Sequence, residues 1–410
     1  MTVGGDAVQS WQSFDRMWDE LLPVGRSASS GGYRRFAWTG ADLQLREWFA
    51  AEAGRRGLDL TLDRAGNQWA WWGDPDAAAR AGRPGLVIGS HLDSVPDGGP
   101  FDGPLGVLSA LAALDELRER GWQPSRPVAV VNFGDEEGAR FGIACAGSRL
   151  ITGALDPDRA RGLADSAGST MAEAMAAAGF NPDQVGPDRE TIGRIGCFVE
   201  LHVEQGRGLA ELAEPIAIGT AIWPHGRWRI DLPGQANHAG TTRLVDRDDP
   251  MLGYARLVLA ARQAAERHRS LATMGKVSVF PNGVNAIASL VSGWLDARGE
   301  DAGRLRELVA ELAELARAEG GTLTEESWTD RTPFDQGLAA RLREVLPAAP
   351  LLDTGAGHDA GILANAGVPT AMLFVRNPTG ISHSPAEHAE LADCHAGVQA
   401  LAAVVSELAG

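Results

Sequence analysis

The sequence is short of positive charge: 37 lysines and arginines stand against 54 aspartates and glutamates, a formal net charge of −17 over 410 residues. Phosphate backbones are held by clustered cations, so this balance argues against a nucleic-acid partner. Cysteine is scarce as well. Cys145, Cys197 and Cys394 are odd in number and widely spaced, which argues against a disulfide framework and for reduced thiols in the cytoplasm. No apolar run reaches the ~18 residues that cross a bilayer. The opening Met1-Thr2-Val3-Gly4-Gly5-Asp6 has neither the basic start nor the apolar core of a secretion signal. What remains is ordinary globular composition, 44% hydrophobic and 22% charged, at a length that suggests two to three domains.

One stretch organises the rest. Leu86-Val87-Ile88 reads as a buried strand, and Gly89-Ser90-His91-Leu92-Asp93 follows it. Open α/β sheets place ligands at such strand ends. An imidazole at His91 can bind a metal through one nitrogen while the Asp93 carboxylate holds the other N–H. The glycine-rich loop Gly98 to Gly103 then presents a second carboxylate, Asp102, ahead of a helical run from Pro104 to Arg120. Read alone, the loop is equally an ordinary polar surface turn. A second buried strand, Pro127 to Phe133, ends in Asp135-Glu136-Glu137-Gly138. Neighbouring side chains point in different directions, so one carboxylate can ligate a metal while the other faces substrate as a base. In Glu200-Leu201-His202-Val203-Glu204 the polar residues share one strand face, which makes His202 a further ligand candidate.

The periodicity predicts helices over Ser10–Leu22, Gly40–Arg56 and Leu163–Phe180, and a hairpin over Leu58–Leu62 and Gln68–Trp72. From about Pro215 the pattern changes. Strands at Ile216–Ile222, Arg227–Leu232, Lys276–Phe280, Ala286–Leu295 and Thr322–Trp328 alternate with helices at Pro250–Arg267 and Asp301–Glu319. The expected architecture is an α/β catalytic domain with a mixed, mainly parallel sheet, interrupted by a smaller α+β domain. The boundaries fall at 1–212, 213–329 and 330–410.

These residues carry a resemblance. The motifs His-x-Asp with Gly-Gly-x-Phe-Asp-Gly, Glu-Glu-Gly-x-Arg-Phe, Glu-Leu-His-x-Glu-Gln-Gly, Ala-Asn-His-Ala-Gly-Thr-Thr, Gly-Ala-Gly-His-Asp-Ala and Gly-x-Ser-His-x-Pro-x-Glu occur in that order. The chain resembles the N-carbamoyl-L-amino-acid hydrolase and allantoate amidohydrolase family, within the di-metal aminoacylase/carboxypeptidase superfamily, over nearly its whole length. The resemblance implies two divalent ions per subunit (zinc, manganese, nickel or cobalt). Asp102 would bridge them, with His91 and His202 on one ion and Glu137 and His383 on the other. It makes Glu136 the general base, Asp93 the support of His91, and His238 the group that stabilises the oxyanion. Gln205, Asn285, Arg298, Gly357 and His358 would line the substrate, with Arg298 on its α-carboxylate. It also implies that the inserted domain acts as a lid and forms a homodimer. The expected substrate is a small ureido or N-carbamoyl carboxylate, and no membrane is involved.

Two departures bear on specificity. Arg243 follows His-Ala-Gly-Thr-Thr where the family usually has proline, and Arg376-Asn377 stands where Pro-Ser is usual. Extra arginines near substrate loops would favour a second negative charge, as in N-formyl-, N-carbamoyl- or formimino-glutamate. A metallo-dipeptidase and a non-catalytic binding protein are the remaining alternatives. The first fits the Glu-Gln-Gly and Gly-Ala-Gly-His-Asp patterns poorly, and the second would not need every ligand and the base.

Overall fold

The structure, a computed structural model, describes residues 7–410, so the opening Met1–Asp6 segment lies outside the described residues. The chain forms two compact units. One comprises the chain up to Thr220 with Phe334–Leu352 and Gly357–Gly410, the other Ala221–Pro333 with Asp353–Ala356. The chain passes between units at 220/221 and 333/334, eight and four residues beyond the expected boundaries, and again at 352/353 and 356/357 within a stretch expected to belong wholly to the larger domain.

The larger unit is built on a mixed sheet. Its first strands are β1 (Asp59–Leu62), β2 (Gln68–Trp72), β3 (Gly85–His91), β4 (Val128–Phe133), β5 (Ile195–Val203) and β6 (Ile216–Ile222). Across the sheet they run β1-β2-β4-β3-β5, then the strand Thr370–Val375, then β6. The central four, β4, β3, β5 and Thr370–Val375, are mutually parallel. The flanking strands β2 and β6 pair antiparallel to them. Every residue of β3 and β4 is buried, as expected of strands covered on both faces. One cover is the helix Pro104–Glu119, which opens with proline at its first turn and buries Leu105, Leu108, Leu111 and Leu114. It packs against the final helix, Leu391–Ala409, in one continuous core.

The smaller unit has a four-stranded antiparallel sheet ordered Thr322–Thr329, His225–Pro233, Leu290–Arg298, Leu271–Phe280. Alternation decides its faces. Trp228, Ile230 and Leu232 are buried against the helices Pro250–His268 and Ala302–Ala318, while Arg227 and Arg229 are exposed.

Two expected elements are broken. Leu163–Phe180 is not one helix: a helix covers only Met171–Ala177. Asp165 accepts the amides of Ala167 and Ser169, closing a turn that Gly168 completes at φ +86°. Thr170 and Glu173 then start the helix with a capping box. Ala286–Leu295 is likewise divided. Ala286–Ile287 leaves the sheet to pair with Asn237–His238, and Leu290–Arg298 continues alone.

Candidate metal centre

The parallel strands set the site. His91 is the last residue of β3, Asp135-Glu136-Glu137 follow β4, His202 lies one residue from the end of β5, and the loop after Thr370–Val375 carries Ser382 and His383. All four are carboxyl ends of one parallel array, so side chains far apart in sequence converge there.

Asp102 is the centre of the cluster. Its Oδ1 lies 3.2 Å from His202 Nε2 and 3.6 Å from His91 Nε2. Its Oδ2 lies 3.5 Å from His383 Nε2, which is itself 3.7 Å from Glu137 Oε2. One carboxylate thus turns an oxygen to each of two donor pairs. His91, Asp102 and His202 form one close group, and Asp102, Glu137 and His383 another. A third group, Glu200, His202 and His358, backs His202. There Glu200 is already held by the Ser90 hydroxyl at 2.7 Å and the Ala360 amide at 3.0 Å.

The imidazole orientations follow from their second nitrogens. His202 Nδ1 lies 2.9 Å from the Val203 carbonyl, and His91 Nδ1 lies 3.2 Å from the Asp93 carbonyl and 3.3 Å from its carboxylate. Acceptors at Nδ1 keep a proton there, so the neutral form of each ring would offer its Nε2 lone pair to an ion beside Asp102. His91 Nε2, His202 Nε2 and Glu137 Oε1 are buried and make no hydrogen bond. Buried polar atoms are normally satisfied, and these three, two from the group of His91 and His202 and one from the group of Glu137 and His383, fit metal-ion ligands.

The charge balance favours a cation as well. Burial alone would pull His202 down, but Asp102 beside it lifts the imidazole to about 9. Burial likewise works against the Asp102 carboxylate, yet His202 and His91 hold it well below its ordinary range. Burial pushes Glu136 up to about 7 against the pull of His91, with Asp93, Asp102 and Glu200 adding to the rise.

Several supports are legible only in three dimensions. Asp93 accepts the amides of Glu136 at 3.2 Å and Glu137 at 3.0 Å, so it fixes the second loop as well as His91. Glu387 accepts the amides of Phe101 and Asp102 and pins the loop that carries the central carboxylate. The Cys145 thiol lies 3.2 Å from Glu136 Oε1. The sequence signal for Glu387 was its place in the last motif; nothing marked Cys145.

Gln205 donates to Asp102 Oδ2 at 2.9 Å and to Ser382 at 3.1 Å. His358 is 3% exposed, its ring 4.5 Å from that of His202, and the Cβ position of Gly357 is open. Arg376 turns its fork onto Asp393 at 2.8 and 2.9 Å.

In the smaller unit, His238 and Asn285 are brought together: the Asn285 carbonyl accepts the Ala239 amide, and His238 pairs with Ala286. The Gly240 amide donates to His238 Nδ1 at 3.0 Å, so the neutral ring carries its proton on Nε2. Arg298 closes its strand, clamped by Asp296 and donating to the Gly355 carbonyl at 2.8 Å. Arg243 is paired with Asp246 at 2.6 and 3.0 Å.

Similarity to known proteins covers both units. The chain is 35% identical to an N-carbamoyl-L-amino acid amidohydrolase of Geobacillus stearothermophilus, over 96% of this chain and 98% of that one. It is 33% identical to an allantoate amidohydrolase of Escherichia coli (strain K12), over 93% and 94%. The crystal structure of an amidase of the hydantoinase/carbamoylase family from Burkholderia vietnamiensis matches it with a TM-score of 0.86 at 31% identity, over 99% and 98%. Residues 87–407 match a family as a whole, from within the strand that delivers His91 almost to the end of the last helix, and on that match the chain belongs to the peptidase family M20/M25/M40.

Proposed function

We propose that the protein is a binuclear metal-dependent amidohydrolase that cleaves the C–N bond of a ureido or N-carbamoyl carboxylate. The observation that carries this reading is the divided Asp102 carboxylate, with one donor pair at each oxygen. His91 and His202 would hold one ion with Oδ1, and Glu137 and His383 the other with Oδ2. Imidazole and carboxylate donors suit zinc, manganese, nickel or cobalt. Ions held there supply Lewis-acid polarisation of the scissile carbonyl and a more acidic water.

The chain's own groups do the rest. Glu136 Oε2 lies 3.7 Å from His91 Nε2, on the donor side of the cluster. There it takes the water proton and returns it to the leaving nitrogen. His238 donates from Nε2 to the carbonyl oxygen as that oxygen gains charge. Arg298 uses three of its N–H groups on Asp296 and Gly355, which aims the guanidinium and leaves two for a substrate carboxylate. Asn285 adds a polar contact beside His238. Gln205 and His358 act behind the ligands, on Asp102 and His202, and the open Gly357 leaves room for substrate. A dicarboxylate substrate is the weaker reading, because Arg243 and Arg376 are both engaged by aspartates of the chain.

The test is product release from metal-loaded enzyme. Ammonia is followed with allantoate, N-carbamoyl-L-amino acids and formimino-glutamate, formate with N-formyl-glutamate, and free amino acids with dipeptides. Turnover of a ureido or N-carbamoyl substrate, lost in Glu136→Gln, is expected. Dipeptide turnover without ureido turnover, or metal binding with silence on every substrate, overturns the proposal.

The partner we infer is a second copy of the chain, joined through the smaller unit. Leu271–Phe280 is the edge of its sheet, with Val277 and Phe280 exposed, and the adjoining helix exposes Leu252 and Leu259. An open edge beside an apolar helix stripe suits an isologous contact. Light scattering on wild type and Leu259→Glu reads it: a dimer weakened by the substitution supports the contact, and a wild-type monomer removes it. We place the enzyme in the cytoplasm, in keeping with three free, buried cysteines. Among the described residues no helix is long and apolar enough to cross a membrane.

A further inference from the structure

Glu136 is gripped at more points than a catalytic carboxylate needs in order merely to be present. Its amide donates to Asp93 Oδ1. Its carbonyl accepts the Cys145 amide, and the next two amides continue the strap, Ala146 to the Asp135 carbonyl and Gly147 to the Gly134 carbonyl, both at 3.0 Å. The start of the helix Ala146–Thr152 is therefore laid across the loop that carries the base. Cys145 is the residue before that helix, in the left-handed region at φ 55°, ψ 36°. This conformation is uncommon for a residue with a Cβ. Here it lets the amide of Cys145 meet the Glu136 carbonyl while its thiol meets the carboxylate of the same residue.

The two oxygens of Glu136 then have different surroundings. Oε1 lies 3.2 Å from Cys145 Sγ, and Oε2 lies 3.7 Å from His91 Nε2. Cys145 and Glu136 are 3% and 5% exposed, so water does not compete for either. Among the described residues no disulfide is formed, and the thiol is free to donate. A carboxylate on a three-torsion side chain can rotate either oxygen inward, and a donor on one oxygen selects one orientation.

We infer that Cys145 is a positioning residue for Glu136: its S–H holds Oε1, so that Oε2 faces the donor cluster in the direction proton transfer requires. This rests on Glu136 being the base. Proton transfer depends on direction and reach within a few tenths of an ångström, so losing the hold costs rate and leaves the ligands where they are. A thiol is a weak donor, and the expected loss of rate is about tenfold.

The experiment measures kcat, KM and metal content of Cys145→Ala, Cys145→Ser and Glu136→Gln, and of Cys145→Ala made in the Glu136→Gln background. The substrate is the one with the highest kcat/KM in the panel above. Cys145→Ala should lower kcat about tenfold, with KM and bound metal within twofold of wild type. Cys145→Ser keeps an O–H donor and should recover most of the loss. In the Glu136→Gln background the alanine substitution should cost nothing further, because the oxygen it orients no longer acts as a base. Wild-type kcat in Cys145→Ala, a serine variant no better than alanine, or a further loss in the double variant overturns the inference. Should the alanine variant fail to melt cooperatively, the serine variant decides: kcat within threefold of wild type supports the inference, and a tenfold loss with metals bound removes it. Wild-type kcat in Glu136→Gln refutes the base itself, an outcome separate from these.

Discussion

Gly103 offers the sharpest perturbation of the metal centre. It precedes the helix Pro104–Glu119 at φ +84°, ψ −61°, a region that residues with a Cβ avoid. Backbone strain from alanine there costs about 1–3 kcal/mol. The second consequence is specific. A Cβ at Gly103 would sit 2.5 Å from His91 Nδ1 and 2.7 Å from Nε2, against the face of the ring. Ordinary contact begins near 3.4 Å, so the imidazole must retreat by most of an ångström. Metal–nitrogen distances tolerate about 0.2 Å. The ring cannot slide freely, because Asp93 holds its Nδ1 at two points. Gly103→Ala should therefore remove His91 as a ligand while leaving Glu137 and His383 in place. Weakening of that half-site by at least the ~10–100-fold typical of a lost supporting partner is expected.

The assay is metal content per chain after equilibrium dialysis, with kcat/KM and thermal unfolding in parallel. On the proposed binuclear reading, about one ion should remain of two, and turnover should collapse. Gly121→Ala is the control. That glycine has φ +69° and nothing within 4 Å of its Cβ position, so it carries backbone strain without the collision. It should lose ~1–2 kcal/mol of stability and keep both ions. Two ions at wild-type affinity with full turnover in Gly103→Ala would refute the assignment of His91.

Three further outcomes follow from the same geometry. Asp93→Asn puts an NH2 group opposite one of the two amides the carboxylate accepts; kcat/KM should fall ~10–100-fold, and an unchanged value would mean that the loop is held by other contacts. Metal loading should release protons. His202 is raised to about 9 and His91 is also raised in the ion-free cluster, burial opposing and the facing carboxylates prevailing. Below pH 9 an ion must displace those protons, so affinity falls as pH falls, by up to one decade per unit for each proton. Calorimetry at pH 7.5 in buffers of different ionisation enthalpy reads the number directly, and zero release contradicts the charge balance. Arg376→Ala strands Asp393, which is 4% exposed. A stability loss of ~1–3 kcal/mol is expected, with KM unchanged for mono- and dicarboxylates alike; a KM rise confined to dicarboxylates would return Arg376 to the substrate.

The candidate ligands His91 and Glu137 stood out in the sequence because each ends or closely follows a strand that announces itself. Leu86-Val87-Ile88 and Val128 to Phe133 are apolar throughout, and a polar residue following such a run has few places to go except the carboxyl edge of the sheet. His202 was visible for a different reason, as a polar residue in an otherwise apolar alternation. β5 proved buried on both faces, with Glu200 and His202 at 0% and 1% exposure, so the polar face lines the site and does not meet solvent. The broken helix at 163–180 was readable only in hindsight. Its alanines suggest a helix by propensity, and one aspartate two residues before an alanine outweighs them by closing a turn.

The supporting contacts were not legible, for a physical reason. Glu387 meets Phe101 and Asp102 across 286 and 285 residues, Gln205 meets Ser382 across 177, and Asp93 meets Glu136 across 43. The last two join loops that leave neighbouring parallel strands, the first reaches past β5 from the loop after Thr370–Val375 to the loop after β3, and strand order is not written in any one segment. β3 lies between β4 and β5 although β4 follows it in the chain. That order sets the loop of Asp93 beside the loop of Glu136, and a carboxylate there can replace water for two amides at once. Arginines mislead for the converse reason. Arg243 and Arg376 look available in sequence, yet a guanidinium satisfies a nearby carboxylate of its own chain before it can serve a ligand, Asp246 three residues on and Asp393 seventeen residues on. Charge in the sequence therefore locates a site only after the chain's own pairings have been subtracted. At this centre the subtraction leaves His91 Nε2, His202 Nε2 and Glu137 Oε1 among the unpaired atoms, in the two donor groups that share Asp102.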